Sequence, residues 1–470
     1  MLIYEAKMPF NESKGIAIII ALFILANIVF LNFYNDVWWD SAVYIGMGKY
    51  IYSFGKSGLW EESRPLILPL FLGLGWKLGL DAVHFGRAVS LIFSALVLLA
   101  TYIIGMKIFS KKEALLAAFF TSFSFTFFFF SSNILTEMPS TLFVLLAFYF
   151  FLEKRFFLVG VFTGLAVMTR LFQIFALAGL GVVFIFYFWN KPIFRKGALF
   201  IILGASIFIV PYAILNYYLY NDLLLPFKVQ SHLTKTTGWV LYKEYGFYFV
   251  ELLKENFFII LLLAVPFLFK RNYKFGALLM TPLIYILIFS FVKHKEMRFM
   301  IVILPFLYLL LSYCLTQIHS RIKYKKAAVA AFMVMAILWL GMTFSTFIDV
   351  ANYRHQRNDE ALLYFQDYMK TSDGSAWTTN PLYALNSDQK IDGLLYFFSS
   401  QNLIKFIAEN ENKVEIVLYN SCDMECPPAE LDSECGKSRK VLANMLSNLK
   451  KAYERQKNLC NYAIFKKVTY

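Results

Sequence analysis

Apolar runs of about 20 residues, repeated along the chain and separated by short hydrophilic breaks, leave this sequence few possible folds. Each run is long enough to cross the hydrocarbon core of a bilayer as a helix. No soluble domain of 470 residues could bury so much apolar surface. The chain is 59% hydrophobic, 19% aromatic and only 16% charged, with mean hydropathy +0.58. The expected fold is an α-helical polytopic membrane protein. No small-residue cleavage site follows the first run, Gly15 to Tyr34, and further runs come after it, so it reads as a retained helix.

A formal charge of +14 could signal a nucleic-acid partner, but the positions of the Lys and Arg residues argue otherwise. They cluster in alternate breaks between the runs, which is the positive-inside pattern of membrane proteins. With Lys7 and Lys14 cytoplasmic, the first span exits at Asp36 into a long outer loop, 36–86. That loop holds an amphipathic stretch, Ser41 to Ser53, and an apolar stretch, Pro65 to Leu80. The latter is short and broken by Pro69, Gly73, Gly75 and Lys77, so it reads as horizontal or re-entrant. Further spans are expected at 88–106, 114–131, 139–152, 156–169, 172–189, 198–218, 256–269, 275–292, 299–318 and 327–347. This makes about 11 helices, N-terminus inside and C-terminus outside. The inner breaks hold 17 Lys and Arg against four acids, Glu5, Glu12, Glu113 and Glu153. Nearly all of the net charge is thereby explained, and no nucleic-acid partner is expected.

Two domains are expected, a membrane domain at 1–348 and a small soluble α/β domain at 349–470, outside the cytoplasm. The tail is polar, with a helix-like segment at Glu360 to Met369 and strand-like segments at Val414 to Tyr419 and Tyr462 to Lys467. It carries Cys422, Cys426, Cys435 and Cys460, read as two disulfides with three connectivities open. Zinc is the competing reading, although paired C-x2-C knuckles are missing. Cys314 is then a buried thiol.

Asp40 and Glu137 both fall where a span meets the outer surface. An acid at a membrane boundary is costly unless paired or used. Asp40 could simply cap the amphipathic helix, and Glu137 could simply favour the first turn of the helix it opens. The chemical reading is that one carboxylate takes a proton from an acceptor hydroxyl while the other positions it or helps hold a divalent cation. The basic cluster Lys293, His294, Lys295 and Arg298 also lies outside, where the inside rule does not account for it. Arg170 sits in an outer turn, and Arg64 opens the re-entrant stretch. Convergent cations there suit a lipid-linked phosphate, and their plain alternative is anchoring to headgroups.

These residues also resemble a known group. An outer acid after helix one, Arg64-Pro65-Leu66, Thr136-Glu137, and Thr169-Arg170 after Gly164-Leu165-Ala166 recur together in membrane glycosyltransferases of the GT-C fold. The protein O-mannosyltransferase and aminoarabinose-transferase branch is the most similar. His294-Lys295-Glu296-Met297-Arg298-Phe299 resembles the His-Lys-Glu-x-Arg-Phe motif of mannosyltransferases that build lipid-linked oligosaccharides and glycolipid anchors. The resemblance covers roughly residues 15–347. It implies a polyprenyl (dolichyl) phosphate sugar donor and an inverting transfer. Asp40 would match the catalytic acid of the first outer loop, Glu137 the second-loop acid, and Arg298 and Arg170 the phosphate-side cations. Many relatives have Asp-Glu where this chain has Asp40-Ser41, which leaves metal use and acceptor class open.

The expected activity is therefore transfer of mannose or another hexose to a glycan, protein or glycolipid hydroxyl. A transporter or lipid flippase, using the same acids and bases as coupling groups, is the rival. Against it stand the clustering of charge at one face and the lack of an internal repeat.

Overall fold

A computed structural model describes residues 10–34, 36–236, 242–268, 272–355, 375–385, 387–395, 400–424, 426, 433–457 and 460–467. The expected spans appear as helices, though not all of them are full length. Five described helices are long and apolar enough to cross a membrane: α1 (Phe10–Leu31), α4 (Ala82–Ile108), α10 (Ile193–Tyr220), α13 (Tyr273–Phe291) and α15 (Lys325–His355). Between α1 and α4 lie α2 (Trp39–Tyr52) and α3 (Ile67–Lys77), where an amphipathic and a re-entrant segment were expected. By length and composition, five described helices, or six if the bent pair Lys111–Phe123 and Phe125–Ser131 forms one span, meet the requirement for crossing, against the about 11 expected. α7 (Glu137–Leu152), α8 (Phe156–Thr169) and α9 (Gln173–Phe188) have 14 to 16 residues. At 1.5 Å per residue they reach about 21–24 Å, short of a hydrocarbon core of about 30 Å.

The span expected at 114–131 is broken into α5 (Lys111–Phe123) and α6 (Phe125–Ser131), bent by 65°. The cause is a cap supplied from elsewhere in the chain. Glu255, at the end of α12 (Phe247–Glu255), accepts hydrogen bonds from the Thr126 backbone N–H at 2.9 Å and from the Thr126 hydroxyl. It thereby satisfies one of the orphan donors of the second half-helix. The span expected at 256–269 is a 3-10 helix over Phe257–Ala264 that ends in a single α-helical turn, Val265–Leu268, and the one at 299–318 starts in 3-10 form at Met297–Val302 before α14 (Leu304–Arg321). α11 (Leu225–Thr236) lies in the long loop after α10. α15 runs to His355, past the boundary expected at 348.

Five strands make one mixed sheet: β1 (Ala376–Thr378), β2 (Ile391–Leu394), β3 (Ile416–Asn420), β4 (Lys450–Lys457) and β5 (Cys460–Lys466), in the order β2-β1-β3-β5-β4. β1 is parallel to β2 and β3, while β5 is antiparallel to β3 and β4. α16 (Ser400–Asn410) and α17 (Cys435–Ser447) cover one face through Leu403, Ile407, Leu442 and Met445. The other face packs Ile416, Leu418 and Ile464 against Val43, Met47 and Leu59 from the first loop. The sheet thus shares a core with α2. Cys422 pairs with Cys460 and Cys426 with Cys435, so these four are not zinc ligands, and Cys314 is a buried free thiol. The strands expected at Val414 to Tyr419 and Tyr462 to Lys467 appear as β3 and β5. The helix expected at Glu360 to Met369 lies outside the described residues.

Candidate active site

α2 and α3 pack backbone to backbone. A Cβ on Gly48 would lie 2.6 Å from the Gly73 nitrogen, so only glycine fits there. This contact brings the start of α2 next to the loop before α3, the N-terminus of α7, the α8–α9 turn and the segment before Met297. Together they line a cavity of about 310 Å³.

Asp40 stands in the first turn of α2 but makes no capping bond there. Its carboxylate is held between two arginines. Oδ1 accepts from Arg64 Nη2 and Oδ2 from Arg298 Nη1, each at 2.7 Å. Arg64 also donates through Nε to both Glu61 oxygens at 3.3 Å and through Nη1 to the Tyr44 hydroxyl at 3.2 Å. Arg298 donates through Nη2 to Glu296 Oε1 at 2.8 Å, and the same oxygen lies 2.7 Å from His294 Nε2. The Arg298 guanidinium sits over the Trp38 ring at 5.7 Å. Its Nε has no hydrogen-bond partner among the described residues and lies 3.8 Å from Glu137 Oε1.

Glu137 opens α7 and is only 3% exposed. Its Oε1 is 2.6 Å from Arg170 Nη1, at the α8–α9 turn. Its Oε2 has no hydrogen-bond partner among the described residues. Arg170 Nη1 also donates to the Thr136 hydroxyl at 3.2 Å, and its guanidinium lies 5.2 Å from the Phe299 ring centre.

Three guanidinium groups therefore meet four carboxylates: Asp40, Glu61, Glu137 and Glu296. Burial by itself would raise the Asp40 carboxyl. The charges and hydrogen bonds of Arg64 and Arg298 outweigh burial and hold it well below the usual carboxylate range. Burial also works against the Glu296 charge, but Arg298 and His294 bring it down to about 2. Both acids stay ionised at neutral pH.

Of the residues singled out from sequence, Asp40, Glu137, Arg64, Arg170, His294 and Arg298 line one cavity. Lys293 and Lys295 do not. Lys295 is buried and donates to the backbone oxygens of Val292 at 2.6 Å and Lys243 at 3.0 Å, so it pins the loop rather than facing the cavity. Lys293 is exposed and outside the lining. Sequence reasoning missed Glu296 and Glu61 as partners. Both had a signal, since each is an acid two or three residues before the arginine it holds. Gln230 and Thr234 of α11 also border the cavity, and nothing in their sequence context marked them.

A divalent cation held by Asp40 and Glu137 fits this arrangement poorly. Both Asp40 oxygens and one Glu137 oxygen already face guanidinium groups, and three positive charges would repel the ion. Among the described residues no group of three or more His, Cys, Asp or Glu could hold a metal.

A sequence profile of the Alg9-like mannosyltransferase family matches residues 10–374. The chain belongs to that family. It is accordingly a glycosyltransferase of the mannosyltransferase class and an integral, multi-pass membrane protein of the GT-C fold. ArnT from Cupriavidus metallidurans, solved with undecaprenyl phosphate, is similar in fold, with TM-score 0.69 at 11% identity over 97% of this chain and 98% of that one. The oligosaccharyltransferase AglB from Archaeoglobus fulgidus, in complex with an inhibitory peptide and a dolichol-phosphate, has TM-score 0.56 at 12% identity, covering 95% and 74%. The arabinofuranosyltransferase AftD from Mycobacteria has TM-score 0.51 at 12% identity, covering 97% of this chain and 41% of that one. No curated protein matches the chain.

Proposed function

We propose that the protein moves a hexose, in keeping with its family mannose, from a polyprenyl (dolichyl) phosphate to an acceptor hydroxyl at the extracytoplasmic face, with inversion at the anomeric carbon. The observation that carries this reading is Asp40 clamped beside Arg298, in one cavity with the Glu137–Arg170 pair. Neighbours in fold that bind undecaprenyl phosphate or dolichol-phosphate support the donor class. The charge asymmetry of the hydrophilic breaks supports the face.

In this mechanism Asp40 takes the proton of the acceptor hydroxyl as that oxygen attacks the anomeric carbon. The bond from that carbon to the phosphate oxygen breaks on the opposite side. The departing lipid phosphate gains negative charge as that bond breaks, and positioned guanidinium groups stabilise this developing charge in the transition state. Arg170 and Arg298 supply them. Each keeps at least one guanidinium nitrogen without a hydrogen bond among the described residues, whereas Arg64 contacts Asp40, Glu61 and Tyr44 through all three of its nitrogens. Arg64 then serves as the fixed partner of Asp40, and Arg298 is shared between Asp40 and the arriving phosphate. This sharing relieves Asp40 of part of the positive field that makes it a poor base in the resting site. No step runs through a metal.

Purified protein, radiolabelled polyprenyl-phosphate mannose and a panel of glycan, peptide and glycolipid acceptors test this reading. Asp40→Asn is expected to fold, bind undecaprenyl phosphate and fail to transfer. Transfer at the wild-type rate by folded Asp40→Asn overturns the assigned base.

A further inference from the structure

α2 carries two kinds of contact. Asp40 and Tyr44, four residues apart, face the cavity. Val43 and Met47 enter the core of the C-terminal sheet with Leu59, Ile391, Ile416 and Leu418. One helix therefore belongs to both the membrane part and the tail.

A buried polar link between them is Lys49, in the last turn of α2. It is 3% exposed, and its ammonium group donates to the backbone oxygens of Ala384 at 3.1 Å, Leu385 at 2.9 Å and Ser387 at 3.1 Å. Asp388 lies 3.3 Å away and completes the charge balance. An ammonium has three N–H groups, and here three carbonyls converge on it. The segment that receives Lys49 is gripped from other sides as well. The Asp388 backbone oxygen accepts from the Ser57 hydroxyl, and its carboxylate accepts from Trp76 Nε1 at 3.0 Å. Gly58 donates to the Gln389 oxygen at 3.0 Å and accepts from the Ile391 N–H at 2.7 Å. At φ +77°, with a Cβ position only 2.2 Å from the Gly46 oxygen, residue 58 has to be glycine.

We propose that Lys49 is a positioning residue for the transfer reaction: by locking the end of α2 into the tail, it sets the position of Asp40 at the helix's other end. The proposal rests on the reading of Asp40 as the base. Nine residues separate the two, about 13 Å along the helix axis, so a tilt of about 5° would move Asp40 by about 1 Å. A displacement of that size can cost a reaction about 100-fold. The tail is thereby part of the catalytic apparatus, although among the described residues no tail side chain lines the cavity.

The test uses the full chain in detergent, with undecaprenyl phosphate as the binding probe and radiolabelled polyprenyl-phosphate mannose for turnover. Lys49→Met is expected to bind undecaprenyl phosphate with unchanged affinity and stoichiometry, because Arg170 and Arg298 remain. Its turnover per probe-binding site is expected to fall about 10- to 100-fold. Lys49→Arg should recover only part of the loss, since a planar fork cannot meet three carbonyls converging on one point. Lys405→Met, at an exposed tail lysine, should behave as wild type. Should Lys49→Met not fold, Asp388→Asn keeps the three carbonyls in place and is expected to show a milder loss of the same kind. Wild-type turnover per binding site in the folded variant, with Asp40→Asn inactive, overturns the positioning role. Wild-type turnover in Asp40→Asn overturns the base assignment instead.

Discussion

Arg64→Met removes one of the two cations that hold Asp40 and leaves Arg170 and Arg298, the proposed phosphate ligands, in place. The lost contact is 2.7 Å between nitrogen and oxygen, which puts the charge centres about 4 Å apart. At an effective permittivity of about 20 such a pair is worth about 4 kcal/mol. At 1.36 kcal/mol per pH unit that is about 3 pH units, the top of the range of about 1–3 seen for a carboxyl beside an arginine. The sign follows from the Asp40 environment. Arg64 and Arg298 depress this carboxyl and burial pushes it up, so losing Arg64 lets burial prevail. Glu61 loses its arginine too and adds a repelling charge nearby. The assay is the pH dependence of turnover between pH 4 and 7, at saturating donor and acceptor. Wild-type turnover should show little acid limb in this window, because Asp40 stays ionised. In Arg64→Met the limb should rise by about 3 pH units, which brings it into the acid end of this window. Superimposable profiles for the two proteins, with Asp40→Asn inactive, would refute the claim that Arg64 sets the proton affinity of the base.

Three other outcomes are expected. Arg298→Ala should lose about 2–4 kcal/mol of transition-state stabilisation, read as turnover per folded molecule, and Arg298→Lys should restore only part of it. Full restoration by Lys would make Arg298 an anchor rather than a phosphate ligand. EDTA should leave the rate of transfer unchanged, since the Asp40 and Glu137 oxygens face arginines; a rate lost to EDTA and regained with a divalent cation would contradict that. Cys422→Ser opens a 38-residue loop tying the end of β3 to the start of β5. It should lower the denaturation midpoint of the tail, with a chain-entropy cost of about 4 kcal/mol.

Much of the site could be read from the sequence because sidedness is a local property. Lys and Arg in alternate breaks set the direction of each span, and from that Asp40, Glu137, Arg170 and Arg298 fall at one end of the bundle. The failures are equally local in origin. Lys293 and Lys295 share the charge and the loop of Arg298, yet a turn of the backbone sends Lys295 to carbonyl oxygens and Lys293 to the surface. The break between α5 and α6 has no proline or glycine to announce it, because its cap, Glu255, comes from about 130 residues away.

Composition and charge order alone determined that this chain spans a membrane many times, that a polar tail with cysteines follows, and that acids and arginines gather at one face. These are statements about which residues meet lipid and which meet water, and solvation energies are summed residue by residue. Only the tertiary structure decided that Asp40 lies between Arg64 and Arg298, that Glu137 faces Arg170, which cysteines pair, and that α2 is shared with the tail sheet. Those contacts depend on the tilt and rotation of helices far apart in sequence. An ion pair formed at 2.7 Å is largely lost once a water fits between the partners, and no local pattern encodes distance at that scale.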